Sequence, residues 1–210
     1  MKLLILGASG KIGHLVTESA LARGHSVTAL VLDATKLGKL TQDKLKVIEG
    51  DATNQSVIDK AVRGVDAIIS VLGHNRFTTI EMQSNAMRSI TSAMHKHKVS
   101  RIVSLTGTGV YTEGDAPNLL DRGLTALLMF VDTKRIQDGI KHVEVLKDSD
   151  LDWVVLRTPK HLSAKKVSRY RVTPNVKGVN WYVRRPNIVD YLVELVEAKK
   201  ISSRMPVISG

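Results

Sequence analysis

The apolar run Leu3-Leu4-Ile5-Leu6 breaks at Gly7, and Gly10 and Gly13 follow at equal spacing. An amphipathic stretch from Ile12 to Leu21 comes directly after. Strand, glycine turn and helix are therefore expected in immediate succession. A helix start leaves backbone N–H groups unpaired and carries the positive end of the helix dipole. Glycines let the main chain approach a phosphate held there, so a dinucleotide is the first ligand to consider. The spacing G-x-x-G-x-x-G is one residue longer between its first two glycines than the G-x-G-x-x-G form, and a tight turn without a ligand satisfies it equally. Lys11 stands in the first helical turn, where a cation is disfavoured by roughly 0.3–1 kcal/mol. It fits beside a bound anion; the alternative is a solvated lysine.

Further along, strands are expected at Ser26 to Leu32, Leu45 to Glu49, Ala67 to Leu72, Val99 to Leu105 and Trp153 to Leu156. Helices are expected around Ala34 to Leu40, Ser56 to Val62, Thr79 to His97, Arg122 to Lys147 and Pro186 to Ala198, with Gly107 to Asp121 as a loop. Short strands are expected within Val167 to Val172 and Asn180 to Val183. Alternating strands and helices predict βαβ units on a mainly parallel sheet. The fold class is α/β, a Rossmann-type doubly wound parallel sheet. One domain is expected over residues 1–210, with about 157–185 forming a small C-terminal substrate-side lobe.

The chain has no cysteine, which removes disulfides, thiolate metal sites and cysteine nucleophiles. No apolar run is long enough to span a bilayer, and Met1-Lys2 leads into a strand rather than a signal peptide, so a cytoplasmic location and no membrane partner are expected. The formal net charge is +11, which favours anionic partners. Between Asp152 and Asp190 no acidic residue occurs, while Arg157, Lys160, Lys165, Lys166, Arg169, Arg171, Lys177, Arg184 and Arg185 all fall there. That segment is either a solvated basic face or a rim for an anionic substrate. Nucleic acid is disfavoured: no recognition motif can be placed and aromatics make up 4% of the chain.

In an open parallel sheet, ligands lie beyond the carboxyl ends of the strands. Gly7, Leu32-Asp33, Gly50-Asp51-Ala52, Gly73-His74-Asn75-Arg76, Thr106-Gly107 and Arg157-Thr158-Pro159 all fall there. Asp51 can accept from an adenine amino group with Ala52 against the ring, or cap the helix that follows. Gly73 either lets the chain pass close to a cofactor or is a plain turn glycine.

Four segments now occur in order: G-A-S-G-K-I-G, G-D-A after the third strand, D-A-I-I-S-V-L-G at the fourth, and Leu146 to Pro159. Together they resemble the atypical short-chain dehydrogenase/reductase proteins with an NAD(P)-binding, NmrA-like domain. Within these the chain is most similar to small NADH-flavin reductases and biliverdin-IXβ/flavin reductases. The resemblance implies that Gly7, Ser9, Gly10, Lys11, Ile12 and Gly13 form the diphosphate turn. It implies that Asp51 and Ala52 hold adenine, that Leu72 and Gly73 line the ribose and nicotinamide side, and that Thr106 stands beside the nicotinamide. Leu32 departs from the arginine that often grips a 2′-phosphate in these relatives. Lys36 and Lys11 can replace that contact, which places NADP(H) ahead of NAD(H). Asp33 can instead bind ribose hydroxyls.

Many short-chain dehydrogenases protonate a carbonyl through a Tyr-x-x-x-Lys pair. Tracing back from Ser149, the family's tyrosine and lysine positions are Arg135 and Gly139, so this chain lacks the dyad. Direct hydride passage to a stacked flavin does not need it. The expected function is an NAD(P)H-dependent oxidoreductase acting on a flavin or similar planar, anionic acceptor. Substrate-side candidates are His74, Asn75, Arg76, Thr106, Tyr111 and His161; each histidine has an ordinary surface or turn role as its alternative. Phe77, Tyr111 and Trp181 are candidates to stack on a flat ring. No metal site is expected, since His95 and His97 have no carboxylate or thiol near them in sequence. The alternative function is a non-catalytic NmrA-like redox sensor that reports to a protein partner.

Overall fold

The computed structural model describes residues 1–38, 40, 43–74, 79–112, 114–115 and 119–210, and for 119–132 the backbone alone. Its first half alternates strand and helix: β1 (Lys2–Leu6), α1 (Lys11–Ala22), β2 (Ser26–Val31), a 3-10 turn (Ala34–Leu37), β3 (Leu45–Glu49), α2 (Gln55–Val62), β4 (Ala67–Ser70) and α3 (Met82–His97). The second half adds β5 (Arg101–Gly107), α4 (Leu119–Lys147), β6 (Asp152–Thr158), β7 (Lys160–Leu162), β8 (Arg171–Thr173), β9 (Tyr182–Arg184), α5 (Arg185–Glu197) and β10 (Val207–Ser209).

The main sheet runs β3-β2-β1-β4-β5-β6-β10-β8. Its pairs are parallel except β10 with β8. The chain moves outward from β1 to β3, then crosses back to place β4 on the other side of β1. This reversal puts the ends of β1 and β4, with Gly7 and Gly73 just beyond them, at the topological switch point where Rossmann-type sheets bind ligands.

Side chains alternate across a strand, so a sheet covered on both faces reads as an unbroken apolar run. Leu3, Ile5, Ile69, Val103 and Val154 face one layer with α1 and α5. Leu4, Ile68, Ile102 and Val155 face the other layer with α2, α3 and α4. All nine are fully buried. The sheet is therefore doubly wound, as expected. Met87 and Met94 pack in the second layer, as their near-helical spacing predicts for a core face, whereas Met82, expected there with them, stands at the cleft wall.

The C-terminal part differs from expectation in detail. Residues 167–170 are not strand; β8 begins at Arg171. Two strands were not anticipated. β7 pairs with β9 as a separate parallel ribbon, and β10 inserts between β6 and β8. At three residues each, both give too short a hydrophobic pattern to read from sequence. The helix expected from Thr79 starts at Met82.

Candidate functional site

The backbone after β1 is shaped by glycine. Gly7 has φ of +79°, a conformation that L side chains rarely adopt. A Cβ on Gly13 would lie 2.0 Å from the Gly7 carbonyl oxygen, so only glycine lets α1 pack this closely on the turn. The Gly10 N–H donates to the Gly7 carbonyl at 2.9 Å. Gly10 stands at the N-cap position, no side chain caps the helix, and its first turn contains no acidic residue. The positive end of α1 is thus left for an external anion. Lys11 is exposed in that first turn.

This helix start opens into a cleft of about 320 Å³. Gly7, Ser9, Gly10, Leu32, Asp51, Ala52, Leu72 and Gly73 all line it, joined by Met82, expected in the core, and by Thr53 and Thr79, which sequence reasoning did not single out. Leu32 is 60% exposed, an apolar side chain held at the mouth. Asp51 is not the cap of α2. Its carboxylate accepts from the Thr53 N–H at 2.8 Å and hydroxyl at 2.9 Å. Asn54 caps instead, accepting from Ser56 N–H at 3.0 Å and Val57 N–H at 3.4 Å. Asp51 therefore stays exposed on the cleft wall beside buried Ala52. Gly73 faces open space, where a Cβ would meet nothing within 4 Å.

Lys36 does not line the cleft. Its ammonium lies 3.6 Å from Asp33, whose carboxylate also accepts from Thr35 and caps the 3-10 turn. The Thr35 hydrogen bonds hold the Asp33 carboxyl below its ordinary value against the opposing effect of burial, with Lys36 adding to them. Ile12 packs into the apolar layer behind the turn.

A second cavity of about 240 Å³ adjoins the first. His74, Gln83, Thr106, Gly107, Val110 and Arg135 line it. The two spaces share a wall: Leu72 and Met82 face the cleft, their neighbours His74 and Gln83 face the cavity, and the Gln83 amide donates to the Leu72 carbonyl at 2.6 Å. The dyad positions are here too. Arg135 borders the cavity, and a Cβ on Gly139 would stand 3.2 Å from both Thr106 Oγ1 and a Val110 methyl.

Below this cavity lies a polar cluster that the sequence did not announce. His74 Nε2 lies 2.9 Å from Asp138 Oδ2, with side chains 7% and 1% exposed. The same carboxylate accepts from the Gln83 N–H at 2.8 Å and the Ser84 N–H at 3.0 Å, holding the start of α3. One turn on in α4, His142 Nε2 is 3.0 Å from Ser104 Oγ. His142 Nδ1 is buried with no partner among the described residues. Burial lowers the His142 pKa from 6.5 to about 4, against the opposing pull of the Asp138 charge. No sequence spacing signals this cluster, because its members come from β5, α4 and the segment after β4.

The other candidates scatter. Thr106 is buried at the end of β5, and its carbonyl accepts from Thr158 Oγ1 at 3.2 Å. His161 Nε2 lies 2.8 Å from that hydroxyl. Burial and then the Arg185 charge lower the His161 pKa. Tyr111 is half-buried and does not border either space. Asn75, Arg76 and Phe77 lie outside the described residues. Trp181 is 64% exposed, against Tyr182 and under Lys160.

The basic segment is not one solvated face or one rim. Arg157 is fully buried and paired with Asp115. Among the described residues no three His, Cys, Asp or Glu side chains converge as for a metal; His97 Nε2 instead lies 2.9 Å from Asp59. Among them, too, no helix is long and apolar enough to cross a membrane.

The sequence model of a family described as NAD(P)H-binding matches residues 7–199. Among curated proteins, an isoflavone reductase homolog, A622 of Nicotiana tabacum, is 27% identical over 213 residues, 93% of this chain and 64% of that one. The chain thus spans less than two thirds of that relative's length. YwnB of Bacillus subtilis, an uncharacterized protein, is 29% identical over 52% of this chain and 48% of its own. Among solved structures, ChuY, an anaerobillin reductase from Escherichia coli O157:H7, superimposes with a TM-score of 0.83 at 23% identity, over 100% of this chain and 97% of that one. A short-chain dehydrogenase/reductase from Veillonella parvula in complex with NADP gives a TM-score of 0.80 at 20% identity, over 100% and 94%. At these identities the structural likeness establishes the fold.

Proposed function

Because this chain belongs to the family of NAD(P)H-binding proteins, we propose that it is an NAD(P)H-dependent reductase of a flavin or similar planar acceptor. One observation carries the reading: the uncapped start of α1 opens into a cleft that runs past Leu32, Asp51 and Ala52 to Gly73, where a second cavity begins. Gly7, Ser9, Gly10 and Gly13 would hold the diphosphate through backbone N–H groups. Asp51 and Ala52 would hold adenine, and Leu72 and Gly73 the ribose and nicotinamide side. Lys11 and Lys36 would meet a 2′-phosphate, which favours NADP(H) over NAD(H). When bound, the dihydronicotinamide supplies a hydride.

The protein's own contribution is to orient two flat rings at the end of β5 and to exclude water beneath them, which orientation alone can turn into a large rate factor. The names of the two reductase relatives support this reading. A cofactor sensor acting on a protein partner is the second reading, favoured by the bare Gly139 position where the dyad's lysine would stand. The test is oxidation of NADPH or NADH with FMN, riboflavin or a redox dye, alongside nucleotide binding by fluorescence. Binding with turnover supports the reductase. Binding without turnover with any acceptor favours the sensor, and no binding at millimolar nucleotide overturns both.

A further inference from the structure

The second cavity measures about 240 Å³, less than the roughly 300 Å³ from which pockets for whole drug-sized ligands start. One edge of a flat ring system fits it, and the polar atoms on its wall decide which edge. On that wall Gln83 is held by the fold at two points. Its side-chain nitrogen donates to the Leu72 carbonyl at 2.6 Å, and its backbone N–H donates to Asp138 at 2.8 Å. A carbonyl oxygen only accepts, so the Leu72 contact fixes the amide with its nitrogen toward Leu72 and Oε1 turned away. Oε1 has no hydrogen-bond partner among the described residues and is not buried. Gln83 borders the second cavity and not the nucleotide cleft, whose wall on that side is Leu72 and Met82. The open oxygen therefore serves whatever fills the cavity. Because the side chain is already anchored at Leu72, taking a ligand's hydrogen bond costs little further ordering.

We propose that Gln83 is a specificity-determining residue for the acceptor: its Oε1 accepts a hydrogen bond from a ring N–H, and the class selected is a planar ring system with a cyclic imide or lactam edge. A flavin carries such an edge, the N3–H between two carbonyls. A quinone presents carbonyl oxygens alone, and an oxygen opposite Oε1 sets two acceptors face to face with no proton between them. Gln83 binds and orients the ring; its amide does not titrate, and no proton of the reaction passes through it. The Leu72 contact gives the same side chain a hold on the wall between the two spaces, so the acceptor's edge and the nicotinamide side of the cleft are set against one another by a single amide.

This inference rests on the reductase reading, and the experiment separates the two. NADPH binding is followed by fluorescence. The ratio kcat/KM is measured with riboflavin, with N3-methylriboflavin and with menadione, a quinone that has no N–H, for the wild type and for Gln83→Ala. In the wild type, methylation at N3 should lower kcat/KM by about 10- to 100-fold, because Oε1 then faces a methyl group. In Gln83→Ala the two flavins should be used equally well, and riboflavin should lose more than menadione, which reports the lost Leu72 contact alone. Gln83→Ser, too short to reach the ring, is the second variant should the first not fold, and it should erase the difference likewise. Equal use of both flavins by the wild type overturns the inference without any variant. A methylation penalty that persists undiminished in the variants overturns it too, since another group then reads N3. A wild type that reduces menadione and neither flavin overturns the inference and leaves the reductase reading standing. A wild type that fails to bind NADPH, or binds it and reduces none of the three, overturns the reductase reading and the inference with it.

Discussion

Arg157 of β6 and Asp115 of the loop after β5 form an ion pair with side chains 0% and 1% exposed. Arg157 also donates to the carbonyls of Met205 at 3.0 Å and Pro174 at 3.2 Å. Asp115 accepts from the N–H groups of Thr112 at 2.7 Å and Val176 at 3.0 Å. One guanidinium therefore ties the loop after β5 to the C-terminal segments. Replacing Asp115 with Asn leaves that guanidinium buried without its counter-charge. We expect a loss of about 3–5 kcal/mol in urea unfolding; a change under 1 kcal/mol would show the pair to be dispensable.

The same pair sets an acid limit. Burial would raise the Asp115 carboxyl, but the Arg157 guanidinium and the Thr112 and Val176 N–H groups outweigh it and hold the group below its ordinary 3.8. A carboxyl depressed in the folded state contributes stability above its unfolded pKa and loses it as pH falls through the folded value. Stability from this source is thus intact above about pH 4 and is lost below it. Asp115→Asn should flatten the unfolding free energy in that acid range and leave its slope above pH 5 alone.

His142 acts in a separate window. Its pKa of about 4 in the fold, against 6.5 for a free imidazole, means that the unfolded chain binds more protons between those values. Stability should fall as pH drops from about 6.5 to about 4, by up to roughly 3 kcal/mol, and level off beneath. His142→Gln should remove that slope. Equal slopes in wild type and variant, measured by urea unfolding at several pH values, would show that His142 does not drive it.

Two glycines separate packing from binding. Gly13→Ala forces a methyl to 2.0 Å from the Gly7 carbonyl, so the turn must shift. A loss of at least about 1–3 kcal/mol in stability is expected, together with lost nucleotide binding. Gly73→Ala meets nothing within 4 Å and should unfold within about 0.5 kcal/mol of wild type. Gly73 nevertheless lines the cleft, so a methyl there should compete with the nucleotide for space and NADPH affinity should drop several-fold by fluorescence titration. Unchanged affinity would remove Gly73 from the cofactor site.

Cofactor choice can be read at the mouth of the cleft. Leu32→Arg should strengthen NADPH binding by about 10- to 100-fold, the worth of one charged hydrogen bond, and leave NADH little changed. Lys36→Ala should weaken NADPH more than NADH. Equal effects on both nucleotides would show that Lys36 stays with Asp33 and never meets the 2′-phosphate.

The parts of this molecule that sequence made visible are those with local causes. The glycine turn is visible because Gly7 and Gly13 answer to steric demands within a few residues of one another. The doubly wound sheet is visible because Leu3 to Leu6 and Val154 to Leu156 must be apolar on both faces. The cleft walls follow from these, since strand ends in such a sheet share one edge. Asp51 and Asn54 show where this reasoning stops. Both are cap residues by type, and only the backbone path decides that Asn54 caps while Asp51 faces the cleft. The couple of His74 with Asp138 and the burial of Arg157 are further from reach, since each depends on residues that meet only after the sheet has closed. An arginine in a basic stretch reads as surface until its partner is seen from another element.

β10 supplies the edge on which β8 pairs, and its neighbour Met205 accepts from Arg157. The far edge of the sheet is thus built backwards along the chain: the strand that joins β8 to β6 is one that follows both in sequence. A substitution that frees β10 would therefore unseat β8 and the Arg157 contact together, at a distance from the nucleotide cleft.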